Sequence, residues 1–284
     1  MHTHNSATKN KLKSDLIILL LLGFTALLGW VYYQLTGNSA AILTSVIFGA
    51  VYALISYFTA SKVALKVNRA KAVSKQDAPE LYKIVQKLTK EDGLPMPQLY
   101  IVPDSAANAF ATGRSPQHAH VAVTSGILEV LDDQELEAVL AHEISHVKNY
   151  DIRLMMVVFA CITSLNLIID FILRSLIFGD DNRGGFLSYI LISMFSSLIG
   201  VLIQAAISRQ REYAADLSGA ELTHKPKELA SALQKISHKG SRLQKQSSAT
   251  AHLFFANPLK SGAFAKLFST HPPIEERIKV LQNL

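Results

Sequence analysis

The run Asp132-Asp133-Gln134-Glu135-Leu136-Glu137-Ala138-Val139-Leu140-Ala141-His142-Glu143-Ile144-Ser145-His146-Val147 predicts a helix that carries chemistry on one face. Asp132 followed three residues later by Glu135 forms a capping box, and Leu136, Val139, Leu140 and Val147 mark the buried side. His142 and His146 lie one turn apart on one face, so both imidazoles can reach a single Zn2+ at bonds of about 2.0–2.1 Å. Glu143 falls between them, beside the metal. Zinc held this way lowers the pKa of a bound water and polarises a carbonyl, while a carboxylate at Glu143 takes the proton as general base. Peptide-bond hydrolysis is the chemistry that follows.

A catalytic zinc takes a third protein ligand and keeps a fourth position open. A third His six residues after the second is absent, because Asn149 and Ile152 stand in the Gly and His places of that pattern. Asp151 lies five residues past His146; on a continued helix it points about 140° away, at about 100° per residue. Glu212 fits better. In Arg211-Glu212-Tyr213-Ala214-Ala215-Asp216 the two acids share a helical face, and Asp216 can accept a hydrogen bond from a ligand imidazole. The expected set is His142, His146 and Glu212 around one zinc ion per chain.

Around this centre the chain is apolar: 49% hydrophobic residues, 18% charged and a mean hydropathy of +0.23 exclude disorder and depart from a soluble protein's balance. The single cysteine, Cys161, excludes a disulfide framework. Four blocks are long enough to cross a hydrocarbon core of about 30 Å: residues 16–35, 40–60, 154–178 and 186–207. Lys9, Lys11 and Lys13 before the first also suit a signal peptide, but its length favours a retained anchor. The net charge of +6 concentrates at span ends, with Lys62, Lys66, Arg69, Lys148, Arg153, Arg209 and Arg211 on one side. Both termini and residues 61–153 are therefore expected on the cytoplasmic side. Such a distribution, without interleaved aromatics, suits a membrane surface and not nucleic acid. Asp170 and Arg174, at i,i+4 spacing in the third span, read as an ion pair or snorkelling pair toward its far end.

The division that results is a transmembrane hairpin (1–61), a cytoplasmic segment with the metal helix (62–153), a second hairpin (154–207) and a cytoplasmic C-terminal part with the third ligand (208–284). Within 62–153, residues 77–92 have helical spacing. Gln98–Val102, Ala107–Thr112 and Ala119–Thr124 are short, β-prone runs, which predict a small sheet. Spans three and four form an antiparallel hairpin, which brings His146 and Glu212 together at its cytoplasmic mouth. Residues 239–262 read as a long loop whose Leu253, Phe254 and Phe255 cover the active site or touch the membrane. Glu275, Glu276 and Arg277 open a terminal helix with Ile274, Ile278 and Leu281 on one face. His118, His120, His224, His238 and His252 lack ligand spacing and read as surface or loop residues.

Asn108-Ala109-Phe110-Ala111-Thr112-Gly113, the His142–His146 motif, Asn149 with Asp151, the 211–216 run and Ser269-Thr270-His271-Pro272-Pro273 together resemble the HtpX heat-shock membrane proteases, in the same order and over nearly the whole chain. These are gluzincins related to the CAAX prenyl endopeptidases. The resemblance implies a multi-pass α-helical membrane protein with a cytoplasmic zincin-like α+β domain, a small sheet beside the metal helix. It also implies zinc on His142, His146 and Glu212, Glu143 as base, and an inner-membrane enzyme that cleaves misfolded or damaged membrane proteins under stress. Asn108, Ala109, Phe110, Ala111 and Thr112 become the edge strand that pairs with an extended substrate, a mode that supplies main-chain bonds without demanding sequence. His271 is either an oxyanion donor or a turn residue ahead of two prolines. Partners implied are unfolded or misfolded membrane proteins and lipid; oligomeric state has no signature in the sequence. Two other readings stand beside this one. Processing of defined or prenylated membrane substrates needs a large chamber, for which four spans leave little room. A non-catalytic zinc-clipped scaffold has no use for Glu143.

Overall fold

The computed structural model describes residues 2–177, 209–239, 254–255 and 272–284. In chain order the elements are α1 (His2–Thr36), α2 (Ala40–Val67), β1 (Lys71–Ala72), α3 (Pro79–Glu91), β2 (Gln98–Val102), β3 (Ala109–Gly113), β4 (Ala119–Thr124), α4 (Ser125–Val130) and α5 (Asp133–Lys148). They continue with α6 (Asp151–Ile177), α7 (Arg209–Thr223), α8 (Pro226–Lys239) and α9 (Ile274–Gln282). Span 186–207, His271 and most of the 239–262 loop lie outside the described residues, as does the side chain of Arg174.

The described chain forms two compact units. One comprises residues 11–60 and 156–177. Its helices carry three candidate membrane spans, Ser6–Gln34, Ile42–Val67 and Asp151–Asp170. The first helix starts well ahead of Leu16 and the second runs past Ala60, since extending an existing helix adds one hydrogen bond per residue without a new nucleus. Leu16, Leu19, Leu20, Leu43, Leu54 and Ile55 are all more than half exposed, a surface that only lipid makes favourable. Inside the unit, a Cβ on Gly49 would stand 2.7 Å from Thr25 Cγ2 and 3.2 Å from Ile168 Cδ1, so a residue without a side chain sets the close helix packing.

The other unit comprises the chain up to Asn10, residues 61–155 and the described residues from 209 onward. Its sheet has the order β1-β2-β4-β3, with β2 and β4 parallel and the outer pairs antiparallel. The strand read from Ala107–Thr112 begins two residues later, at Ala109, because Asn108 closes the approach instead: its amide donates to Thr124 Oγ1 at 2.9 Å. Phe110 faces Ala122 and Ala111 faces Val121 in the β3–β4 register. Thr124 N–H donates to Asn108 O, so the main-chain groups of Ala109 and Ala111, one residue out of phase, point away from β4. Leu81, Ile84, Val85 and Leu88 of α3 are buried, as their spacing predicts, in a core shared with Leu99, Val121, Leu140, Ile144 and Leu233.

Helix α5 runs through this core. Asp132 Oδ1 accepts from Gln134 and Glu135 N–H at 2.9 and 3.0 Å, and Asp132 N–H donates back to Glu135 Oε2 at 3.0 Å. The predicted capping box is present in full. Such a cap is worth about 1 kcal/mol, and it sets where the helix begins and so which face His142 and His146 occupy.

Candidate active site

His142 and His146 project from one face of α5 with their Nε2 atoms 3.1 Å apart. Glu212, in the first turn of α7, places Oε2 3.9 Å from His142 Nε2 and Oε1 3.7 Å from His146 Nε2. The three donors form a group whose ligand atoms all lie within 4.8 Å of one another. Such separations suit neighbouring ligands on one ion with bonds of about 2 Å, and a His-His-carboxylate donor set suits zinc among divalent metals. The residues fit the metal that the motif calls for.

Gly219 explains how α7 comes so close. Glu212, Asp216 and Gly219 follow at i, i+4 and i+7 on one face. A Cβ on Gly219 would meet His142 N at 2.9 Å and Ala141 C and His142 Cα at 3.2 Å, all backbone of α5. Only glycine lets the two helices approach to this distance.

Both imidazoles are held on their far side. His142 Nδ1 lies 2.9 Å from Asp216 Oδ1, a close polar contact without the alignment of the hydrogen bond expected of Asp216. His146 Nδ1 lies 2.9 Å from Asp151 Oδ2, a contact that the continued-helix reading of Asp151 missed. Helix α5 stops at Lys148, and Tyr150 takes a left-handed backbone with φ of +59°. That break, uncommon for a residue other than glycine, turns the carboxylate of Asp151 back onto the ring. Asp151 Oδ1 also lies 3.6 Å from Arg211 Nη1.

Arg277 was expected at the polar start of the terminal helix, yet it is 1% exposed. Its Nε donates to Asp216 Oδ2 at 2.8 Å and its Nη2 to Asp216 Oδ1 at 2.6 Å, a bidentate pair. Its Nη1 donates to Phe255 O at 3.3 Å, and the guanidinium carbon sits 4.6 Å from the Phe255 ring centroid. On α9 the residues Ile274, Ile278 and Leu281 form the apolar face, and Arg277, three residues after Ile274 and four before Leu281, borders it; spacing alone places it there, but its charge reads as solvated.

Phe254 and Phe255 of the 239–262 loop are 1% exposed and lie at the site. Phe255 N–H donates to Ala109 O at 2.8 Å, and Phe254 pairs with Phe110 in an antiparallel bridge. The Phe255 ring stands edge-on to His142 at 4.8 Å between centroids. These two residues thus occupy part of the outward edge of β3, the strand expected to take substrate. Ala111 N–H on that edge donates to the Glu143 carboxylate.

Glu143, His146 and Glu212 line one pocket with Ile152, Met155 and Phe254. In the metal-free protein, burial raises the Glu143 carboxyl to about 7, with the Glu212 charge adding and His146 opposing. Burial likewise works against a charged imidazole at both histidines. It prevails at His142, which falls to about 4 despite Asp216. At His146 the Asp151 bond and the Glu212 charge outweigh it and lift the ring to about 9. Among the other histidines, His118, His224 and His238 are exposed, as expected, while His120 is half-buried edge-on to Tyr100.

A model of peptidase family M48 matches residues 75–284. A protease HtpX homolog of Tropheryma whipplei (strain Twist) is 45% identical over 285 residues, covering 97% of this chain and 96% of the relative. Another, from Pyrococcus abyssi, is 44% identical over 266 residues and covers 92% of each chain. The crystal structure of S. mikatae Ste24p aligns over 98% of this chain and 66% of its own with a TM-score of 0.52 at 17% identity, a likeness of fold. The kinship expected from the motifs is borne out: the chain belongs to peptidase family M48, as a membrane metalloprotease of the HtpX type.

Proposed function

We propose that the protein is a zinc-dependent endopeptidase that cleaves misfolded or damaged membrane proteins at the cytoplasmic face of the inner membrane. The observation that carries this reading is the convergence of His142, His146 and Glu212, with Glu143, His146 and Glu212 lining one pocket beside Ala111 of β3. Bound zinc would supply Lewis acidity toward the scissile carbonyl and a water acidified for attack. The chain's own residues do the rest. Glu143, whose burial favours a shared proton near neutrality, accepts a proton at its carboxylate and returns it to the leaving amine. Asp216 and Asp151 fix the tautomer and tilt of the two ligand rings. Within the stretch Asn108, Ala109, Phe110, Ala111 and Thr112, the main-chain groups of Ala109 and Ala111 face outward, and the Phe255 N–H on Ala109 O occupies the place an extended substrate strand would take, read through backbone and so broad in sequence.

The topology that goes with this function has hairpins at 1–61 and 154–207, with both termini and the protease parts 62–153 and 208–284 cytoplasmic. The lysines and arginines at the span ends support it. Cleavage of an unfolded model protein by the detergent-purified full chain, with Glu143→Gln in parallel, tests the function. Zinc-dependent cleavage that drops by about 10²–10⁴ in Glu143→Gln is expected for a lost general base. Equal behaviour of the two forms would refute it and favour a zinc-clipped scaffold.

A further inference from the structure

Asn10 lies on α1, far in sequence from every metal-site residue, and is 5% exposed. Its carboxamide Nδ2 donates to Asp151 Oδ1 at 2.7 Å and to Asn149 O at 2.9 Å. Both of its protons therefore go to the turn that follows the metal helix. Asp151 Oδ2 is the atom that holds His146 Nδ1 at 2.9 Å. One carboxylate thus bridges Asn10 and the imidazole, one oxygen to each.

We propose that Asn10 is a positioning residue for the metal site: it locks the Asp151 carboxylate, through which His146 is oriented for the ion. This rests on His142, His146 and Glu212 being the metal ligands. A carboxylate rotates about its Cβ–Cγ bond unless both oxygens are committed. With Asn10 in place, a change in the angle of Oδ2 toward His146 breaks a buried bond at Oδ1 and leaves a polar group unsatisfied. The second bond, to Asn149 O, ties down the peptide beside Tyr150, whose left-handed backbone swings Asp151 into reach. Without Asn10, Oδ1 turns to the Arg211 guanidinium now 3.6 Å away, and Oδ2 leaves the line of the imidazole N–H. The N-terminal helix is on this account part of the catalytic apparatus as well as an anchor.

Co2+ and Zn2+ titration of the purified full chain tests this, in wild type, Asn10→Ala and the near-isosteric Asn10→Asp, with Leu99→Ala as a destabilised control in β2. Asn10→Asp preserves shape while removing both donors. Affinities come from chelator competition, and the visible Co2+ bands report ligand geometry. Partners of metal ligands lose about 10–100-fold in affinity when removed, and Asn10 acts one bond further out, so about tenfold weakening with altered Co2+ bands is expected in both variants. Wild-type affinity and bands in the Asn10 variants would overturn the proposal. So would equal weakening in Leu99→Ala, which would make the effect general destabilisation. A wild-type chain that binds no metal, or binds it equally well as His146→Ala, would instead overturn the ligand set itself.

Discussion

Replacing Arg277 by Met keeps much of the side-chain volume and removes one buried charge. Asp216, also 1% exposed, then loses both guanidinium bonds, of 2.8 and 2.6 Å, and keeps the His142 ring as its partner. Breaking a buried pair from one side costs about 3–5 kcal/mol, because the remaining charge is neither solvated nor compensated. Protonation of Asp216 relieves part of that cost. Burial pushes the Asp216 carboxyl up and Arg277 holds it below its ordinary range, so without the arginine it rises. A neutral Asp216 grips the His142 N–H less firmly, and metal affinity falls together with stability. The double variant Asp216→Asn/Arg277→Met carries neither charge; it recovers most of the lost stability while the metal site stays weak. Arg277→Lys keeps the charge without the planar fork and falls between. Thermal unfolding of the metal-free protein in detergent reads stability, and chelator competition reads zinc affinity. An Arg277→Met chain within about 1 kcal/mol of wild type, or a double variant no more stable than the single, would refute the reasoning.

Gly219→Ala forces a methyl against the backbone of Ala141 and His142, which cannot rotate away. A loss of about 1–3 kcal/mol is expected, with zinc affinity reduced because Glu212 moves with α7; unchanged zinc affinity by competition would count against a helix contact that tight. Glu137 accepts from Lys87 and Lys225 Nζ at 2.7 Å each and ties α3 and the α7–α8 turn to α5. Burial pushes this carboxyl up, but the two ammonium groups outweigh it and hold it below its ordinary 4.5. With the folded value depressed, the stabilisation is present above pH 4.5 and is lost as pH falls through the folded value. The partners are partly solvated, so it is worth about 0.5 kcal/mol for each ammonium. Glu137→Gln should be less stable than wild type near neutrality and converge with it in acid; parallel stability–pH curves would sink the assignment.

Helical spacing carries most of what is legible in the sequence. The pairing of His142 with His146, and of Glu212 with Asp216, needs only a rotation of about 100° per residue, and the capping box that starts α5 is equally local. The strands at 98–102 and 119–124 and the long apolar helices followed from residue type alone. The departure at Asp151 has a local cause. Asp151 was placed by continuing a helix that a left-handed Tyr150 ends, and nothing in Asn149-Tyr150-Asp151 marks that residue for φ of +59°.

What the chain by itself determined is therefore the set of donors and the helical faces that present them, together with membrane spans long enough to cross. Both are matters of period and polarity within a dozen or two residues. Only the tertiary structure decided which groups hold those donors: Arg277 on Asp216, Asn10 on Asp151, Gly219 under His142, and Phe255 along the β3 edge. A buried arginine or asparagine is favourable solely because a partner tens of residues away offsets its desolvation. That partner is invisible to local pattern, and without it the same residue reads as surface.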